Sequence, residues 1–133
     1  MDQYAVMKNI LSSDAAPKAI GPYSQCVGIG DLCFLSGQIP LDPATNEIVP
    51  GDVTAQAERV LDSIEAVLAA SGLGLRHVVK TTIFLVDLAD FKAVNEAYAR
   101  RFPSDPPARS TVQVAALPRG ARIEIEAVAH RNA

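Results

Sequence analysis

The residue types able to do chemistry gather in two short stretches near the C-terminal end. Pro107-Ala108-Arg109-Ser110-Thr111 opens a β-prone run directly after a proline-stiffened loop. An arginine there presents a planar fork of donors that matches a carboxylate bidentately, as a lysine cannot. Ile123-Glu124-Ile125-Glu126 alternates apolar and acidic residues. Read as a strand, it puts both carboxylates on one face, opposite the isoleucines. The plain structural alternative is an Arg–Glu pair beside a solvated glutamate, because most such pairs are structural. Familiar catalytic sets are missing: no Gly-rich phosphate loop follows a strand, and there is no Walker lysine or Gly-x-Ser-x-Gly elbow. His77 and His130 have no evident Ser or Cys partner and read as polar filling at the surface or at strand ends.

Cys26 and Cys33 form neither a CxxC nor a Cys/His cluster, which leaves zinc without support. They face each other if the turn between them centres on Ile29-Gly30, and are offset if it centres on Gly30-Asp31. Free, packed thiols are expected in either case.

The elements that must position these residues follow from periodicity. Ser24–Ile29 and Leu32–Ser36 flank Gly30-Asp31 and read as a β-hairpin. Val53, Ala57, Val60, Leu61, Ile64, Val67 and Leu68 form one helical face, with Asp52 as N-cap and Gly72 as stop. The β-branched run Val78–Val86 reads as a central strand. Asp90 is expected to cap a second helix carrying Phe91, Val94, Tyr98 and Phe102 on one face, which Pro103, Pro106 and Pro107 end. Strands over Ser110–Ala115 and Arg122–His130 close the chain, joined through Leu117-Pro118-Arg119-Gly120. Gly37–Gly51 is a loop, and residues 1–16 read as a loosely ordered lead-in in which Met7 is a second candidate start. The order ββ, α, β, α, ββ predicts an α+β fold, one mixed sheet with both helices on one face. Val112, Val114, Val128 and Phe84 are too apolar to leave the other face wet, which predicts oligomerisation through it.

The length of 133 residues fits one domain over 1–133, able to bury roughly two-thirds of its unfolded surface without disulfide or metal staples. Apolar residues make up 49% and charged residues 20%, ordinary for a folded protein. With 15 acidic and 12 basic residues the net charge is -3, which argues against a nucleic-acid or anionic-membrane binder. No secretory signal or spanning apolar run is visible, so a cytoplasmic setting is expected.

Five stretches then take on a collective meaning. Ala19-Ile20-Gly21-Pro22-Tyr23-Ser24-Gln25, Ser36-Gly37-Gln38-Ile39-Pro40, Val79-Lys80-Thr81-Thr82-Ile83-Phe84-Leu85, Pro107-Ala108-Arg109-Ser110 and Ile123-Glu124-Ile125-Glu126-Ala127 resemble the RidA branch of the Rid (YjgF/YER/UK) family. The likeness runs from about Asn9 to His130, with the motifs in family order and spacing. It implies a chorismate-mutase-like (ferredoxin-like) homotrimer with ligand clefts between adjacent subunits. It implies hydrolysis of short-chain 2-imino acids, 2-iminobutanoate and 2-iminopropanoate, to 2-keto acids and ammonia, protecting pyridoxal-phosphate enzymes from these imines. No cofactor and no metal are implied, and the partner is a small 2-imino or 2-keto acid rather than nucleic acid or membrane.

Carried over by motif, Arg109 binds the ligand carboxylate, Tyr23 stands at the cleft and Glu124 holds a water near the ligand. Gly37 lines the cleft through its backbone. Thr111, where some members have Cys, offers its backbone N–H. Catalytic roles thus fall to Arg109, Glu124 and Tyr23, and ligand binding to Arg109, Gly37, Thr111 and Tyr23. Asn46 replaces a glycine common in relatives and tolerates positive φ. Two rivals remain: a non-catalytic small-carboxylate or 2-keto-acid sensor using the same Arg109, and an endoribonuclease or translation inhibitor. The acidic charge and the absence of a basic groove count against the second.

Overall fold

Seven apolar residues at helical spacing and five strand-forming runs leave few ways to bury both. The computed structural model describes residues 7–133. Helix α1 (Val53–Ala70) begins where the Asp52 carboxylate accepts a hydrogen bond from the Ala55 N–H at 3.0 Å. It ends at Gly72, whose φ of 75° disfavours any side chain, with the Leu73 N–H returning to the Leu68 carbonyl at 2.9 Å. The expected face is the buried one, Val53 through Leu68. Helix α2 (Phe91–Arg101) packs beside it and buries Val94, Ala97 and Tyr98. Glu58 and Asp62 of α1 pair with Arg101 of α2, the Glu58 contact at 2.9 Å.

Six strands form one sheet: β1 (Asn9–Leu11), β2 (Cys26–Ile29), β3 (Leu32–Gln38), β4 (Val78–Leu85), β5 (Ala108–Gln113) and β6 (Ile123–His130). Their spatial order is β1-β2-β3-β6-β4-β5, and every pairing is antiparallel except β4 with β5. This is the expected α+β arrangement, with both helices on one face. Along β6, Ile123, Ile125, Ala127 and Ala129 are buried in the core shared with α1 and α2, so Glu124, Glu126, Val128 and His130 point to the open face. That face carries exposed apolar groups, including Phe34 at 44% and Val112 at 42%.

Several expectations are corrected. The lead-in contains a strand, because Asn9–Leu11 pairs with β2, and Ala16 is in the core; residues 1–6 lie outside the described residues. Asp90 does not cap α2 through its side chain. Its carboxylate accepts from Arg122 at 2.8 Å, and Asp87 takes up the Ala89 N–H in the turn before the helix. Phe91 is not in the core but 39% exposed. Strand β5 starts at Ala108 rather than Ser110, so that Arg109 is already inside the strand. His77 keeps the strand-end role read from the sequence: it is buried directly before β4, where its Nδ1 accepts the Gly74 N–H at 3.0 Å. Asn46 takes φ 59°, as its tolerance for that region allows. Among the described residues no helix is long and apolar enough to cross a membrane.

The hairpin turn centres on Gly30-Asp31, because Ile29 pairs with Leu32. Cys26 therefore sits opposite Leu35, and Cys33 opposite Gly28, diagonal to one another on the helix-covered face. Both thiols are free and fully buried. Burial, with Cys33 nearby, pushes the Cys26 thiol up to about 11. Neither cysteine should be alkylated by iodoacetamide at pH 8 in the native protein, and both should react in denaturant. Rapid labelling of the folded protein would contradict this packing.

Candidate active site

The two chemistry-bearing stretches end on opposite sides of the sheet. Arg109 is in register with Thr81, and Thr111 with Ile83, both buried on the helix-covered face. Residues paired across adjacent strands share a face, so Arg109 and Thr111 point to the helix side at the edge of the sheet. Glu124 is in register with Phe84 and points to the open face. Arg109 and Glu124 of one chain therefore do not converge, and the pair is not the structural Arg–Glu bridge that the sequence left open.

On the open face, a cleft of about 630 Å³ is lined by Tyr23, Gly37, Gln38, Glu124 and Glu126, together with Lys18 and Arg119. That volume suits a small ligand. Gly37 has a specific reason to be glycine. A Cβ there would lie 2.8 Å from the Glu124 Cδ and overlap the carboxylate itself. The missing side chain lets the Glu124 carboxylate lie against the β3 backbone. Burial, and then the neighbouring Glu126, raise the Glu124 pKa above the ordinary carboxylate value. A carboxyl so placed holds its proton more readily than a solvated one and is suited to give and take protons.

Tyr23 stands at the mouth, 52% exposed, after the Gly21-Pro22 turn. Gly21 adopts φ 114°, and the Tyr23 N–H closes a tight turn onto the Gly21 carbonyl at 2.9 Å. The Ile20 N–H donates to the Tyr23 hydroxyl at 3.4 Å, which ties the ring to its own loop. This wall is fixed by two side chains to which sequence reasoning assigned no role. Gln25, buried, accepts from the Ser13 N–H at 2.7 Å and donates to the Pro17 carbonyl at 2.7 Å. Ser36 donates to the Ser24 carbonyl at 2.6 Å. Lys18 and Arg119 were also missed as cleft residues, and Arg119 is reached through a turn in which it adopts φ 61° and donates to the Asn46 carbonyl at 3.0 Å.

Arg109 has a different setting. Its guanidinium carbon lies 5.0 Å from the centre of the Tyr98 ring and 5.6 Å from that of Phe91. Among the described residues no carboxylate pairs with it. Two places along the same strand face, the Thr111 hydroxyl oxygen is buried without a hydrogen-bond partner among the described residues. An unneutralised cation next to an unsatisfied hydroxyl is a setting for an anionic ligand. The structure thus brings Tyr23, Gly37 and Glu124 together at one place, and Arg109 and Thr111 at another.

A family model described as endoribonuclease L-PSP matches residues 13–131. The chain is 64% identical over 124 residues to a Myxococcus xanthus protein named Protein DfrA, covering 92% of this chain and 95% of that one. It is 46% identical to the 2-iminobutanoate/2-iminopropanoate deaminase of Mus musculus, covering 94% and 93%. It matches the crystal structure of E. coli TdcF with bound serine at a TM-score of 0.89 and 45% identity, covering 92% of this chain and 98% of that chain.

The raised pKa of Glu124 has a consequence for stability. A carboxyl whose pKa is higher folded than unfolded favours folding while protonated, and that contribution is lost as pH rises through the folded pKa. Glu124→Gln should therefore raise Tm at pH 7 relative to wild type, and the advantage should vanish as pH falls through the carboxylate range. A Tm lowered at neutral pH would mean that a favourable partner holds the carboxylate.

Proposed function

The chain belongs to the endoribonuclease L-PSP family, the RidA (YjgF/YER/UK) family of its sequence motifs, and we propose that it is an imine deaminase. The substrates are short-chain 2-imino acids, 2-iminobutanoate and 2-iminopropanoate, and the products are the 2-keto acids and ammonia. The curated relatives carrying that name support the reaction class. The serine held by E. coli TdcF supports a small ligand bearing an α-carboxylate.

One observation carries the reading. The cation expected to hold the carboxylate and the acid expected to handle the water lie on opposite faces of one sheet. Arg109 also has no carboxylate of its own among the described residues. A complete site then requires a second copy, with Arg109 and Thr111 of one subunit meeting Tyr23, Gly37 and Glu124 of the next. The exposed Phe34 and Val112 of the open face supply apolar area for such an assembly, proposed as a homotrimer.

In that cleft the Arg109 fork binds the substrate carboxylate and fixes the imine carbon. Glu124, as carboxylate, takes a proton from water while the water oxygen adds to that carbon, and passes the same proton to the nitrogen. Glu124 then takes the hydroxyl proton of the resulting amino alcohol and delivers it to the nitrogen as the C–N bond breaks, so that the 2-keto acid and ammonia leave and the carboxylate is restored. Water is the only co-reactant. Tyr23 closes the mouth and offers its hydroxyl. Such a reaction needs chiefly a fixed substrate and a positioned water, because an imine carbon is already electrophilic. The proposed cellular role is protection of pyridoxal-phosphate enzymes in the cytoplasm.

The test generates 2-iminobutanoate in situ with a threonine dehydratase, traps residual imine with semicarbazide and follows keto-acid release. Arg109→Ala should lower kcat/KM by roughly a hundred- to a thousandfold, the loss of a bidentate charge-assisted pair. Glu124→Gln should slow turnover while leaving 2-oxobutanoate binding largely intact. A folded wild-type protein that binds 2-oxobutanoate without turning over imine would instead be a small-carboxylate binding module.

A further inference from the structure

The arginine assigned to the substrate carboxylate is held by aromatic faces, and one of those faces is itself pinned. Tyr98 comes from the last turns of α2 and is only 5% exposed. Its hydroxyl lies 2.7 Å from the hydroxyl of Thr81, which is itself buried. Thr81 is the register partner of Arg109 on the neighbouring strand, so one ring spans both members of a cross-strand pair. The Tyr98 oxygen takes the threonine, and the ring face takes the guanidinium at 5.0 Å. Phe102 backs the ring, the two centroids 4.5 Å apart.

We infer that Tyr98 is a positioning residue for Arg109: the Thr81 hydroxyl fixes the ring, and the ring fixes where the guanidinium points. The inference rests on Arg109 being the carboxylate anchor. Its physical core is which part of the arginine each contact uses. A carboxylate partner within the chain would occupy the in-plane N–H fork and neutralise the charge. An aromatic face attracts the cation through the ring quadrupole and leaves the N–H edges free for a ligand. Burial raises the Tyr98 pKa, so the phenol stays neutral and protonated beside Thr81. A tyrosine serving only to fill the core would also seek a partner for its hydroxyl. It would have no reason to set its ring against a cation that no carboxylate among the described residues pairs with.

Kinetics with 2-iminobutanoate generated in situ and calorimetry with 2-oxobutanoate, each on Tyr98→Leu, Tyr98→Phe, Thr81→Val and Arg109→Ala, test this. Tyr98→Leu should raise KM and weaken 2-oxobutanoate binding about tenfold. Its kcat should stay within about twofold, the pattern of lost uniform binding. Tyr98→Phe, which restores the ring but not its contact with Thr81, should recover part of that loss and leave KM about threefold above wild type. Simple loss of folded protein lowers apparent kcat and leaves KM alone, so the split separates the two roles. Should Tyr98→Leu fail to fold, Thr81→Val carries the test, with KM raised about threefold because the ring is no longer pinned. Wild-type KM and affinity in the folded Tyr98 and Thr81 variants, with Arg109→Ala still losing the ligand, would overturn the positioning role alone. Normal ligand binding by Arg109→Ala would overturn the anchor and this inference with it.

Discussion

Successive side chains of a β-strand point to opposite faces, and every functional statement about this molecule depends on that alternation. It hides Ile123 and Ile125 beneath the helices and in doing so turns Glu124 and Glu126 outward. On β5 the parallel register with β4 does the opposite to Arg109, which it turns toward the helix side beside Thr81. A shift of register by one residue in β6 would put Arg109 and Glu124 on the same face, at the cost of exposing Ile123 and Ile125. The core therefore decides that this cation and this acid cannot share a site within one chain. A site shared between copies is the proposed outcome of that constraint.

The two half-sites carry local costs that the rest of the fold must offset. The Glu124 carboxylate is partly desolvated and sits near a second negative charge. The buried Thr111 hydroxyl and the second Asp90 carboxylate oxygen lack partners among the described residues, and such atoms cost about 1–3 kcal/mol each. They flank the edge where Arg109 lies: Thr111 shares its strand face, and Asp90 precedes Phe91. Against these stand the apolar face of α1, fully packed from Val53 to Leu68, and the cross-helix ion pairs of Arg101.

How much of this was legible in the sequence depended on how local the deciding contacts are. Helix α1 was readable end to end because its seven-residue apolar stripe, the Asp52 cap and the Gly72 stop all act within the helix itself. Strand β4 was readable from its β-branched run. Strand β1 was not, since Asn9-Ile10-Leu11 is short and mostly exposed, with a partner more than a dozen residues away. Asp90 looked like a cap by position, but Arg122, 32 residues on, competes for its carboxylate. Phe91 fitted the buried helical face by spacing, yet the helix start stands out at the sheet edge beside Arg109 rather than over the core. The site shows the same division. Arg109, Glu124, Gly37 and Tyr23 could be singled out by type and motif. Their placement on two faces follows from the β4, β5 and β6 pairings, which no local pattern encodes.

The central claim is that the cleft is completed between copies, and mixed oligomers test it most directly. Arg109→Ala and Glu124→Gln variants, each inactive alone, are unfolded together, refolded as a mixture and assayed against 2-iminobutanoate. If each cleft takes Arg109 from one subunit and Glu124 from its neighbour, random assembly leaves about one cleft in four with both residues intact. The mixture should then recover roughly a quarter of wild-type activity per subunit. Activity no higher than that of the separate variants, in oligomers shown to contain both chains, would place the two residues in one subunit's site and contradict the account.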